Sequence, residues 1–119
     1  MKDHTEICRQ IVDFLNYLGH FAWKNQTGIV RKGQSWIQYG YPGSSDIFCV
    51  MRGGKFLGVE VKTGKDVQKE KQKLFEDILH KMGAQYIQVR SLDDFKDKFV
   101  YDEHGGYKND PRYRHEYDE

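Results

Sequence analysis

"SDIFCVMRGGKFLGVEVK", residues 45–62, holds two β-rich runs separated by Gly53-Gly54, a pair that accepts positive φ at little cost and so marks a hairpin. Alternation along the second run puts Glu60 and Lys62 on one face and Val59 and Val61 on the other. The hairpin register decides what those charges meet. A strict two-residue loop pairs Arg52 with Lys55 and leaves Asp46 opposite Val61, on the face away from Glu60. A three-residue loop or a bulge shifts the pairing by one and sets Asp46 opposite Glu60 or Lys62. In the plainer alternative, Lys62 pairs with Asp46 or Glu60 as an ordinary ion pair on an exposed sheet face.

Outward from the hairpin, Ile7, Ile11, Leu15 and Leu18 recur at helical spacing and predict a helix over 5–18, stopped by Gly19. "TGIVRKGQSWIQYG" (27–40) alternates and breaks at glycines, which predicts a second short hairpin or two irregular strands. Leu74, Phe75, Ile78, Leu79 and Met82 form one apolar stripe on a helix predicted over 67–82, ended by Gly83. "AQYIQV" reads as a strand, and "SLDDFKDKF" as a short helix capped by Ser91. The order predicts an α/β fold, a sheet covered by helices on at least one face. Residues 1–100 read as one domain, and residues 101–119 as a polar, Tyr-rich tail without periodicity.

The chain has 119 residues and a net charge of +1. The balance is uneven: the tail carries −3 and the first hundred residues +4. Lys62, Lys65, Lys69, Lys71 and Lys73 fall within twelve residues, a density suited either to a phosphate backbone or to a solvated helix face. No apolar run is long enough to span a bilayer, and "MKDHTEICRQ" lacks the apolar stretch of a signal peptide, so a cytoplasmic protein without membrane contact is expected. Cys8 and Cys49 are expected to be reduced, buried thiols, and His4, one helical turn before Cys8, a surface histidine, since no second pair completes a zinc site. "GVEVKTGK" misses the phosphate-loop spacing and has no Ser or Thr after Lys65, which excludes that route to a nucleotide cofactor.

Two carboxylates brought together repel each other unless a cation lies between them, and oxygen donors select a hard ion such as Mg²⁺. Such an ion, with an ammonium beside it, suits phosphodiester hydrolysis.

"YPGSSDIF" (41–48) followed by "LGVEVKTGKDVQKEKQKLFEDILHKMGAQYIQVRSLDDF" (57–95) resembles the virus-type replication-repair nuclease (VRR-NUC) domain, a branch of the PD-(D/E)XK nucleases. The resemblance runs from Glu6 to Phe95, and its elements are Pro42-Gly43 ahead of Asp46, the Glu60-Val61-Lys62 triplet, Gln72, and residues 83–94. It implies an αβββαβ core and dependence on Mg²⁺ or Mn²⁺. Metal ligation would fall to Asp46, Glu60 and the backbone carbonyl of Val61, with Lys62 as the catalytic lysine and Gln72 reaching back from its helix. Glu6 matches the acid that the superfamily carries on its first helix, although Asp3 and Glu6 at capping-box spacing explain an acid there equally well. Asn25 and Thr27 resemble the family's stretch near the DNA, where a turn is an equal explanation. With Ser44, Lys65 and Lys69 they are the candidate DNA contacts. Ser44-Ser45 stand where the superfamily name has proline directly before the first acid, which loosens the loop.

The expected activity is that of a structure-specific DNA endonuclease, a homodimer resolving four-way junctions, with Tyr101, Tyr107, Tyr113 and Tyr117 at its interface or in a solvated terminus. Flap, fork or broad DNA specificity is a variant of it. The competing expectations are a nucleic-acid-binding module that does not cut and an interaction domain whose charges only keep it soluble.

Overall fold

The computed structural model describes residues 2–99. The tail at 101–119, and the tyrosine interface expected of it, lie outside the described residues. The first helix, α1 (His4–Tyr17), is capped by the Asp3 carboxylate, which accepts the Glu6 N–H at 2.8 Å, and it buries Ile7, Cys8, Ile11 and Leu15. After the Gly19 turn come β1 (Phe21–Lys24), β2 (Gly28–Lys32), β3 (Ser35–Tyr39), β4 (Ile47–Val50) and β5 (Phe56–Val61). Helix α2 (Glu70–Lys81), β6 (Gln85–Val89) and α3 (Leu92–Lys98) complete the described chain.

Four strands form one mixed sheet in the order β1-β4-β5-β6, antiparallel except for β5 and β6, which run parallel and are joined through α2. The pair β2-β3 is a separate ribbon, exposed on both faces. Strand β1 has no alternation to announce it. It is held by Asn16 at the end of α1, whose side chain brackets Ala22, donating to its carbonyl at 3.0 Å and accepting its N–H at 2.9 Å.

The two faces of the sheet are covered differently. Leu57, Val59 and Val61 of β5 pack with Ile47, Cys49, Ile87 and Val89 against α1 and α3, all of them 5% exposed or less. On the other face, Phe48, Phe56 and Tyr86 meet Phe75 and Leu79 of α2. Only Phe75 and Leu79 of the predicted apolar stripe are buried; Leu74, Ile78 and Met82 stay exposed. Helix α2 also starts three residues later than 67. The Gln72 side-chain carbonyl reaches back to the Lys69 N–H at 2.9 Å and makes Lys69, in an extended conformation, the N-cap.

The loop between β4 and β5 has three residues. Met51 N–H donates to the Lys55 carbonyl at 2.8 Å, and Arg52, Gly53 and Gly54 make the turn, both glycines at φ +93°. The ladder below pairs Val50 with Phe56 and Ile47 with Val59. Continued by one residue, this register sets Asp46 opposite Glu60, the shifted alternative. No described helix is long and apolar enough to cross a membrane.

Candidate active site at the open end of the central hairpin

Asp46 stands where β4 begins, and its carboxylate extends the ladder past the strand's end. The register would bring the Ser45 carbonyl to the Val61 N–H; Asp46 Oδ2 accepts that N–H instead, at 2.8 Å. The displaced Ser45 carbonyl accepts from Asn25 Nδ2 at 3.0 Å. The same Asn25 amide donates to Ser44 Oγ at 2.8 Å, and the Asn25 backbone N–H to the Asp46 carbonyl, also at 2.8 Å. Asn25 therefore fixes the loop that aims Asp46. Its amide protons and the Ser44 hydroxyl are engaged with each other rather than turned outward to a ligand.

This loop sits close to the sheet and to α2, and glycine makes the approach possible. A Cβ on Gly58 would lie 2.7 Å from Ser45 Oγ and 3.0 Å from Leu79 Cδ1. One on Gly43, at φ +83°, would lie 2.5 Å from the Lys71 carbonyl oxygen.

Glu60 and Lys62 follow Gly58 on the α2 face, at 3% and 1% exposure. An exposed cross-strand ion pair is thereby excluded: both charges are buried. Lys62 Nζ donates to Gln72 Oε1 at 2.6 Å and lies 3.5 Å from Glu60 Oε2 and 3.7 Å from Asp66 Oδ2. Gln72 Nε2 donates to Glu60 Oε2 at 3.2 Å, so one amide orients both members of the pair. Glu60 Oε1 is buried and has no hydrogen-bond partner among the described residues. Burial, then the facing Asp46 carboxylate, pushes the Glu60 carboxyl well above the usual carboxylate range, against the opposing pull of Lys62. Lys62 holds the exposed Asp66 carboxyl below its usual range.

A buried carboxylate facing another, with one oxygen unsatisfied, is the donor set that a divalent cation completes. The residues present therefore fit a hard metal ion.

Glu6, expected from the resemblance on the first helix, is not brought to this place. It lies about 200° around the helix from His4 and Cys8, on the outer stripe with Arg9 and Asp13, and its carboxylate is 3.9 Å from Arg9. The α1 residue that does reach the acids is His4, whose Nε2 is 3.2 Å from Asp46 Oδ2 and whose Nδ1 is 3.8 Å from Cys8 Sγ. The expected surface histidine is thus tied to the site. Nothing local in the sequence signals this, since His4 and Asp46 meet only through the packing of α1 on the sheet. Burial, then Asp46, raises the Cys8 thiol to about 12.

Thr27 lies exposed ahead of β2, and Lys65 exposed in the turn after β5. Lys69 is exposed at the start of α2, its ammonium 3.5 Å from Asp66. A cavity of about 410 Å³ opens beside Lys62, lined by Lys2, Gln10, Thr63 and Arg90 among others. Comparison with protein-family models, with curated proteins and with solved structures gives no match to this chain.

Proposed function

We propose that this chain is a metal-dependent endodeoxyribonuclease of the VRR-NUC kind, hydrolysing phosphodiester bonds in branched DNA. The observation that carries the reading is the meeting of Asp46 with the buried, half-satisfied Glu60 beside a buried lysine. Fold stability gives no reason for that arrangement, because each buried charge adds a desolvation cost. The chain order α1, β1, β4, β5, α2, β6 in one mixed sheet supports the αβββαβ core of PD-(D/E)XK nucleases, with the β2-β3 ribbon as an addition to it.

Mg²⁺ or Mn²⁺ held by Asp46, Glu60 and the Val61 carbonyl would supply charge neutralisation at the phosphate and a more acidic bound water. The chain's own contribution is placement. Asn25 and the Val61 N–H fix Asp46, and Gln72 fixes Glu60 and Lys62 together. The Lys62 ammonium would stabilise the negative charge that builds on the scissile phosphate. The exposed Lys65 and Lys69 lie on the approach to this end of the sheet and supply contacts to the DNA backbone.

A four-way junction needs cuts in two strands related by a two-fold axis, so the reading includes a homodimer with two sites on one DNA. The test is incubation of purified protein with linear, flapped, forked and four-way DNA, with Mg²⁺, Mn²⁺ or chelator. Cleavage that requires the metal and favours the four-way substrate is expected. Salt-sensitive binding that chelator leaves unchanged, with no cleavage in either metal, would replace the enzyme by a binding module.

A further inference from the structure

Asp46 faces two different sets of donors. On one side are the oxygens of Glu60; on the other, across the end of α1, are a nitrogen and a sulfur. His4 lies between Cys8 and Asp46, with 3.8 Å from Nδ1 to Sγ and 3.2 Å from Nε2 to Oδ2. One ring nitrogen, the Cys8 sulfur and an Asp46 oxygen all fall within 4.8 Å of one another. A tetrahedral ion roughly 2.0–2.3 Å from each such donor holds them about 3.3–3.8 Å apart, so the three donors would close by no more than about 1.5 Å around it. Cys8 is fully buried, while the side chains of His4 and Asp46 are 38% and 23% exposed, so the donors form a cup with a polar rim open to solvent.

We infer that His4, Cys8 and Asp46 form a second metal site, selective for thiophilic ions such as Zn²⁺, which competes with the Glu60 set for the Asp46 carboxylate. The selectivity follows from the donors: a thiolate and an imidazole favour Zn²⁺ over Mg²⁺, whereas the Asp46-Glu60 side offers oxygen alone. Binding displaces the thiol proton of Cys8 to solvent and leaves a Zn–S bond, with three protein ligands and one open position. Occupation turns Asp46 toward α1 and away from Glu60. The ion is therefore an inhibitor of the Mg²⁺-dependent cleavage, and this consequence alone rests on the proposed nuclease function.

The test uses Co²⁺ as a spectroscopic stand-in for Zn²⁺ on the whole chain without DNA. One equivalent should give an intense sulfur-to-cobalt charge-transfer band with tetrahedral visible bands, and one equivalent of Zn²⁺ should erase both. Cys8→Ser should lose the charge-transfer band, while Cys49→Ser, which removes the other buried thiol, should keep it. Because Cys8 lies in the core, His4→Ala and Asp46→Asn are measured as well, each with circular dichroism to confirm folding, and each should weaken Zn²⁺ at least about tenfold. A folded wild-type protein without the band, or a band that survives Cys8→Ser, overturns the site. A correct spectrum with no cleavage in any metal overturns the nuclease reading and leaves this site standing; cleavage in Mg²⁺ unaffected by bound Zn²⁺ overturns the competition.

Discussion

Strand β5 shows its two faces to two different environments, and they obey different rules. Leu57, Val59 and Val61 are sealed under α1 and α3 by neighbours of their own kind. Gly58, Glu60 and Lys62, alternating with them, lie beneath α2 and the 41–46 loop, where an acid faces an acid and one carboxylate oxygen has no hydrogen-bond partner among the described residues. The first face follows from hydrophobic burial alone. The second needs the absence of a Cβ at Gly58, an amide clamp at Gln72 and, on the proposed function, a cation. The contrast separates residues that hold the sheet together from residues the sheet is built to present.

The largest difference should appear in catalysis. Glu60→Gln or Asp46→Asn is expected to lower cleavage at least about a hundredfold, the scale seen when a group stabilising transition-state charge is removed. Single-turnover rates on a four-way junction measure it. Leu57→Ala on the other face should leave the rate per folded molecule unchanged, and a comparable loss there would erase the distinction.

Stability should divide the faces differently. Leu57→Ala is expected to cost about 2–5 kcal/mol by opening a core cavity, equally with and without metal. Lys62→Ala is expected to cost about 3–5 kcal/mol, because it leaves Glu60 buried without its cation. Addition of Mg²⁺ should restore part of the second loss and none of the first, as read from urea unfolding.

Glu60 also gives the α2 face its own pH dependence. Its folded carboxyl is raised, so without metal its contribution to stability is complete below about pH 4, the unfolded carboxylate range, and is lost as pH rises through the folded value. Glu60→Gln removes this titration, so the stability of the variant relative to wild type should rise between pH 4 and pH 8, although at either pH it leaves Lys62 buried with Asp66 as its remaining acid. Thermal melts in chelator at both pH values check this. A Gln variant that loses stability relative to wild type between pH 4 and pH 8 would show that the Glu60 carboxyl is not raised in the folded protein.

Legibility in the sequence follows the range of the interactions. The hairpin, α1 and the strand after α2 are local patterns of alternation, periodicity and turn residues, and they stand close to where the sequence puts them. The Glu60-Lys62 spacing is local too, and Gln72 sits 12 residues beyond Glu60 on a helix that its own side chain helps to start. The tie between His4 and Asp46 spans 42 residues, and Asn25 reaches Ser45 across 20. Neither leaves a periodic trace. Strand β1 is four residues long and depends on the Asn16 bracket for its place. The sheet's end was readable in its charges, but the second layer of residues that aims them was not.

The smallest expected effect belongs to Glu6, and it tests which residue α1 sends to the acids. Its carboxylate lies on the outer stripe of the helix, 3.9 Å from Arg9, with its side chain 43% exposed. An exposed helix pair of this kind contributes no more than about 0.5 kcal/mol, and a carboxylate in the first turn adds a similar amount through the helix dipole. Glu6→Gln should accordingly shift stability by less than about 1 kcal/mol and leave both Mn²⁺ affinity and cleavage within about twofold of wild type, as measured by Mn²⁺ paramagnetic resonance titration and initial rates. His4→Ala, by contrast, removes a direct contact to Asp46 and should change metal affinity. If Glu6→Gln instead abolishes Mn²⁺ binding, the helix must turn its outer stripe inward when the ion arrives, and the division between a sealed face and a presenting face would have to include movement of α1.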